Sequence, residues 1–369
     1  MDDFVYWVWF QNAIDFGSFK AKFVLDKFGD LLSFYRAGVH IWTSLSLFSQ
    51  KELTKLCLPL ESFSKIVSKC NYLGYSIITL QSDNYPFLLK QINNPPLVLY
   101  AKGDISFLRS RCVSIVGSRR ATIYGMQMAY EIARSLSKKG ITIVSGGAVG
   151  ADASAHRGAL SSKGSTICVL ACGIDYPYLT QNEALRNEIA NSGLLISEYP
   201  PSFPIQSYNF SIRNRIVSGL SSCTIIVEAS KKSGSILTAN IAAEQGRDVF
   251  VVPVKFESSL SEGINALISD GARVITCADD IYYYISNENH KNEGKNNIKD
   301  IKHKHKKRVE LNLNCDEKKV LEIIKKKKMH INDIIKTTKL EAKKVSSIIV
   351  RLELMDLINS LPGKFYVIR

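Results

Sequence analysis

No run in this 369-residue chain is apolar for long enough to span a bilayer, and no C-x-x-C occurs among its eight cysteines. The first absence speaks against an integral membrane protein, the second against a zinc or thioredoxin-like site. Several of the cysteines sit in apolar strands and read as reduced, buried thiols. Met1-Asp2-Asp3 carries acids where a signal peptide needs basic residues, so a cytoplasmic protein is expected. G-x-G-x-x-G is absent: after Gly117 the next glycine is Gly125. The second strand of the same region ends Val144-Ser145-Gly146-Gly147, with no acid for a ribose hydroxyl, which disfavours a nicotinamide dinucleotide. G-x-x-x-x-G-K-[ST] is absent as well, which disfavours a P-loop NTPase. No cofactor and no metal are expected.

What is present in excess is positive charge, +14 in all. It is unevenly placed. Residues 287–310 hold eight Lys or Arg against four acids, and residues 311–369 hold thirteen against seven. A basic chain of this kind suits a polyanion.

The chain is organised around Cys112–Lys139. Cys112–Val116 is a short apolar run. Met128, Ala129, Ile132, Ala133 and Leu136 recur at helical spacing. Between them lies Gly117-Ser118-Arg119-Arg120, a polar turn with two guanidinium groups. A turn at the carboxyl end of a parallel strand is where α/β sheets bind ligands, and a following helix start suits anions. Further strands are expected at Tyr75–Leu80, Leu97–Ala101, Ile141–Ser145, Thr166–Ala171, Leu194–Ser197, Thr224–Glu228, Val249–Val252 and Arg273–Ile275. Helices are expected at Asn182–Asn191, Arg213–Leu220, Ser235–Gly246 and Ser261–Ser269. This alternation predicts an α/β fold: an extended Rossmann-like, doubly wound and mostly parallel sheet.

Residues 1–75 read as a small helical module of helix-hairpin-helix or SAM-like type, and 76–285 as the Rossmann-like domain. Residues 286–312 are expected to be a basic flexible linker, His303 and His305 within it being solvated residues of a charge run. Residues 313–369 show three helical stripes and then Phe365–Ile368 after Pro362-Gly363, the winged-helix pattern. Its third helix would present Lys343, Lys344, Ser347 and Arg351 outward, either to DNA or merely to solvent in a domain that docks protein.

Small polar segments end several strands: Gly117-Ser118-Arg119, Ser145 through Asp152, Cys172-Gly173-Ile174-Asp175 and Ser233-Gly234-Ser235. Small residues at one sheet edge let backbone N–H groups approach phosphate oxygens. Asp152 and His156 are one helical turn apart and read as a capping or packing pair before a catalytic one. Arg213 and Arg215 project roughly 200° apart on a helix, so both cannot lie on one phosphate. One is expected to face ligand and the other to brace the loop, against Glu198 or Glu228. Both in structural ion pairs is the alternative.

Taken together, Ser114 through Arg119, Ser145 through Leu160, Ile196 through Pro200, Arg213 through Ser221, and Val227 through Ser235 resemble the DprA/Smf family of bacterial DNA-processing proteins. The resemblance covers roughly residues 75–275. It implies a protein that binds single-stranded DNA without catalysis, forms a homodimer, and helps load the recombinase RecA in transformation or recombination. Carried over by motif, Arg119 and Arg213 become the first phosphate contacts. Ser118, Arg120, Gly146, Gly147, Asn214, Arg215, Ser233, Gly234 and Ser235 follow. Gly263 through Ile268 matches a late family motif, which makes Ile264, Leu267 and Ile268 dimer-interface candidates. Tyr176, Tyr178, Tyr208 and Phe210 lie in the loops beside the proposed groove and are candidates to stack on bases. The chain departs from the family pattern at Gly147-Ala148-Val149-Gly150-Ala151-Asp152, at Ser211 in place of proline, at Val254 in place of glycine and at Leu179 in place of proline.

Two alternatives carry residues of their own. The sheet type also resembles nucleotide phosphoribohydrolases, but Leu237 and Thr238 stand where their catalytic glutamates would fall, leaving no general acid/base. A duplex-DNA regulator acting through the winged helix is the other.

Overall fold

The computed structural model describes residues 3–14, 20–254, 260–286, 315–326, 328–354, 357–361 and 365–368. Five helices open the chain: α1 Phe4–Ala13, α2 Lys20–Phe28, α3 Leu31–Ser44 with a break at Gly38, α4 Gln50–Leu56 and α5 Leu60–Tyr72. Helix α1 is apolar nearly all round and is buried on every side but one, as such a helix must be. Trp9 sits against Phe34, Tyr35 and Trp42, with ring centroids 5.2–6.0 Å apart. Its indole N–H donates to the Leu56 carbonyl at 3.0 Å, so a buried polar handle is satisfied.

Nine strands follow in one sheet: β1 Ser76–Thr79, β2 Val98–Gly103, β3 Cys112–Val116, β4 Thr142–Ser145, β5 Thr166–Leu170, β6 Leu194–Ser197, β7 Cys223–Ile226, β8 Asp248–Val251 and β9 Arg273–Val274. The order is β1-β2-β6-β5-β4-β3-β7-β8-β9. β1 and β2 pair antiparallel, as do β2 and β6; all other pairs are parallel. β3, β4, β5, β6 and β7 are buried along their whole length, as expected for a sheet covered on both faces. The covering helices are α6 Phe87–Lys90, α7 Ile123–Lys138, α8 Ala151–Ser161, α9 Glu183–Ser192, α10 Ser207–Gly219, α11 Gly234–Glu244, α12 Ser261–Ser269 and α13, residues 278–286. Helix α10 starts six residues before the expected Arg213. No helix among the described residues is long and apolar enough to cross a membrane.

The opening helices and the sheet share one compact unit and one core, in which Val8, Trp9 and Phe10 join Tyr100, Leu170 and Leu195. Gln11 keys the two together. Its amide donates to the Glu198 carbonyl at 2.8 Å and accepts the Val98 N–H at 2.6 Å.

The second unit contains α14 Cys315–Lys326, β10 Met329–His330, α15 Ile331–Thr338, α16 Ala342–Leu354, β11 Ile358–Leu361 and β12 Phe365–Ile368. Its strands run β10-β12-β11, all antiparallel, over a core of Val320, Ile324, Ile334, Val345 and Leu352. This is a winged helix with one strand, β10, that the apolar pattern did not announce. The basic linker expected over 286–312 lies outside the described residues from 287 on.

Candidate nucleic-acid interface

The sheet order reverses at β3, which has β4 on one side and β7 on the other. At such a switch point the loops leave the strand ends in opposite directions and open a crevice. A cavity of about 330 Å³ lies there. It gathers Ser118, Arg119 and Arg120 from the turn after β3, Gly146 from the loop after β4, Arg213 and Asn214 from α10, and Ser233, Gly234 and Ser235 from the start of α11. Four segments spread over more than a hundred residues thus converge, and nine of the eleven expected positions border the one cavity.

The other two do not. Gly147 turns the chain with φ +69°, and its carbonyl accepts from Asn182 at 3.1 Å. Its place is the turn rather than the cavity wall. Arg215 points away to a buried carboxylate, both oxygens of Glu198 lying 2.6 Å from its Nη2. It is the bracing arginine of the pair.

Arg213 faces the cavity but is only 6% exposed. Its Nη1 donates to the Gly146 carbonyl at 2.6 Å and to the Val169 carbonyl, and its Nε to Asn214 Oδ1 at 3.3 Å. The guanidinium is therefore a fixed charge in the wall, with Nη2 making no hydrogen bond among the described residues. Burial lowers its pKa, while Asp152 nearby works to raise it. Asp152 borders the same cavity; burial lifts its carboxyl above the ordinary value, against the pull of Arg213.

Arg119 is placed differently. Its guanidinium lies 4.8 Å from the ring centre of Phe210, which also borders the cavity, and Tyr178 lies 5.8 Å from Phe210. A cation on an aromatic face keeps its N–H edge available. Of the aromatics expected here, Phe210 and Tyr178 adjoin each other, and Tyr208 is exposed.

The expected anion site at the start of α7 is displaced. That helix end is already occupied: the Glu228 carboxylate accepts the Thr122 N–H at 2.8 Å and its hydroxyl at 2.7 Å. Thr122 Oγ1 in turn accepts the Gly125 N–H, and the Glu228 carbonyl accepts the Ser118 N–H. Start-of-helix donors remain instead on α11. There the Gly234 and Ser235 N–H groups make no hydrogen bond among the described residues, and both residues border the cavity. Nothing local in the sequence signals this, because the capping carboxylate comes from the end of β7.

Asp152 and His156 are both buried in packing roles. Asp152 accepts the Ala148 N–H at 3.4 Å, and His156 Nδ1 meets Thr166 Oγ1 at 2.7 Å. Burial holds the imidazole down to about 3, so it stays neutral. Among the described residues, no cluster of His, Cys, Asp or Glu is placed to hold a metal. Among the described cysteines five are buried free thiols, but Cys57 and Cys277 are exposed, against the expectation of buried ones.

Elsewhere two expectations change. Ile264 and Leu267 are 0% and 6% exposed and pack in the core beneath β8, so they cannot form an interface; Ile268 alone of the three presents surface, at 39%. On α16, Lys344 pairs with Asp316 at 2.6 Å and Arg351 with Glu317 at 2.8 Å, so both cations are engaged within their own domain. Ser347 is exposed, and the Lys343 side chain lies outside the described residues.

Residues 76–286 match the family model for DNA recombination-mediator protein A, and residues 304–364 match the DprA winged helix domain. DNA processing protein DprA of Bacillus subtilis is 42% identical over 217 residues, 58% of this chain and 73% of that one. Its counterpart from Streptococcus pneumoniae is 37% identical over 203 residues, 55% and 72% of the two chains. Among solved structures, Streptococcus pneumoniae DprA aligns with a TM-score of 0.59 at 33% identity, covering 63% of this chain and 81% of that one. DNA processing protein A of Helicobacter pylori, described for a single-stranded DNA binding mode, aligns at 0.53 and 35% identity, covering 58% and 96%. With more than half its length matched by the family model and a sheet that superposes on solved relatives, the chain belongs to the DNA recombination-mediator protein A family, the DprA/Smf proteins.

Proposed function

We propose that the cavity at the switch point holds the backbone of single-stranded DNA, and that the protein acts by binding rather than by catalysis. The observation that carries this is the meeting of three parts at one sheet edge: Arg119 on the face of Phe210, the fixed charge of Arg213, and the open N–H groups of Gly234 and Ser235. Cation and N–H suit a phosphate oxygen; an aromatic face beside them suits an unpaired base. Affinity then comes largely from counterion release and falls with salt.

The finer reading follows the family. The protein acts in the cytoplasm as a homodimer, using Ile268 among its interface contacts, and helps load RecA on strands exposed in recombination or taken up in transformation. A phosphoribohydrolase is disfavoured by the acids. Among the described residues Asp152 is the one carboxylate bordering the cavity, and Thr238 donates to its own helix at the Gly234 carbonyl. Release of free base from a nucleoside 5′-monophosphate would overturn this. Duplex reading by the winged helix is disfavoured by the ion pairs of Lys344 and Arg351.

Fluorescence anisotropy with labelled oligo-dT and a matched duplex, across a salt series, tests the proposal. The single strand should bind tighter. Arg119→Ala should weaken it and reduce the salt slope by about one. Equal or better duplex binding, unmoved by Arg119→Ala, would remove the central cavity from the mechanism.

A further inference from the structure

A second cavity, of about 560 Å³, lies on another face of the same two helices. Phe210, Arg213, Asn214 and Val217 line the first cavity from one face of α10, whereas Ser211 and Arg215 border the second, roughly 120° round the helix. Helix α11 serves both cavities, Ser235 at its start and Ile241 one and a half turns on. The segment after α6 closes the second cavity with Gln91, Ile92, Asn93 and Asn94. Phe210 and Ser211 are consecutive, so the two cavities are bordered by neighbouring positions of α10.

The lining is unlike that of the first cavity. Among the described residues Arg215 is the one cation there, and its charge is already met by Glu198, while Glu244 adds an acid. A phosphate gains nothing there. The side chains of Gln91, Asn93 and Asn94 make no hydrogen bonds among the described residues, so three neutral amides are left to pair with a ligand. Each amide both donates and accepts. Arg215 Nη1 is buried without a partner among the described residues, an uncommon state for such a donor, and one that a carbonyl acceptor would relieve. Ile92 and Ile241 supply apolar wall for the flat of a ring. Neutral amides, one donor and an apolar wall match the oxo and amino edge of a nucleobase.

We propose that this cavity is a second subsite, which takes a nucleobase of the strand whose phosphate lies at the first. The inference rests on the single-strand reading above. Its test compares oligo-dT with an abasic strand of equal length and charge. Gln91→Ala/Asn93→Ala removes two exposed amides, and Ser211→Leu fills the space from an exposed position, so neither threatens the fold. Both variants should lose roughly tenfold on oligo-dT, within the range of a single base contact. They should lose nothing on the abasic strand, and the salt slope should stay unchanged because no phosphate contact is removed. Wild-type affinity in both variants, equal loss on both strands, or a slope lowered by one would overturn it. Arg119→Ala is run beside them. If Arg119 matters and the amides do not, only the second subsite falls; if the wild type binds no single strand, the first reading falls with it.

Discussion

Two glycines at the lips of the first cavity should answer very differently to the same substitution. A Cβ on Gly146 would lie 2.6 Å from both terminal nitrogens of Arg213 and 2.7 Å from Cζ. Ordinary contact begins near 3.4 Å, so the guanidinium must retreat by about 0.8 Å to restore it. An arginine head on a surface would simply swing aside. This one is 6% exposed and tied to two carbonyls and Asn214, so retreat loosens bonds that cannot be replaced by water. Hydrogen bonds to a charged group are worth about 1.5–3 kcal/mol each. Weakening two of them should cost Gly146→Ala about 2–4 kcal/mol, lowering Tm by on the order of 3–7 °C for a unit of nearly three hundred residues. Gly234→Ala has nothing within 4 Å of the new Cβ and sits at the first position of α11, where alanine is the better helix former. It should leave Tm unchanged or slightly raised. The two separate again in DNA binding. Gly146→Ala should lose affinity by tenfold or more through the displaced charge, about 1.4 kcal/mol. Gly234→Ala should lose affinity while staying fully stable, because its methyl group would crowd a phosphate resting on the α11 N–H groups. Differential scanning fluorimetry and anisotropy on oligo-dT read both. A Gly146→Ala protein as stable and as tight as wild type would refute the fixed-arginine account, and unchanged binding by Gly234→Ala would refute the α11 contact.

Glu198→Ala should cost about 3–5 kcal/mol by denaturant titration, because it strands Arg215 in a site where the lost carboxylate was 1% exposed. Gln11→Leu should cost about 1–3 kcal/mol, and native-state hydrogen exchange should quicken at the Val98 amide, whose acceptor is removed. The Asp152 carboxyl is raised by burial, and an anion arriving beside it would raise it further by like-charge repulsion. Strand binding should therefore take up a proton, with affinity growing as pH falls and Asp152→Asn flattening that dependence. Brief alkylation of the native protein, mapped by mass spectrometry, should mark Cys57 and Cys277 ahead of Cys112 and Cys168, whose thiols burial pushes up to about 12.

The parallel strands were readable because burial on both faces leaves them near-continuous apolar runs, and α7 because Ala129, Ile132, Ala133 and Leu136 hold one stripe. The start of α10 was not. Ser207 through Ser211 carries no apolar stripe, and Asn209 in it is wholly buried by a bond to the Ala171 carbonyl at 3.0 Å. A residue that is held by a partner 38 positions away leaves no local period to read. The same holds for the site. That Arg213 and Arg215 diverge follows from helical geometry. That Arg213 is sunk among carbonyls depends on how closely Gly146 approaches, which only the fold decides.

The bracing of α10 explains how a buried cation can be kept beside an open cavity. Gln11 fixes the backbone of Glu198 from the opening helices, and the Glu198 carboxylate fixes Arg215. The Arg215 carbonyl accepts from Gln245 at 3.0 Å, and Gln245 Oε1 accepts from Ser218 at 2.8 Å. Helix α10 is thus held from the helical module, from β6 and from α11 at once. Its register cannot drift, so Arg213 stays desolvated and aimed. A charge fixed in this way has given up its own hydration in folding and acts through a medium less polarisable than water, which strengthens its pull on an anion. Arg119 on Phe210 can do the opposite work, remaining hydrated at the rim and releasing counterions as a strand arrives. On the proposed reading, one helix and one turn would divide the labour: a rigid charge that sets where a phosphate rests, and a surface charge that draws it in.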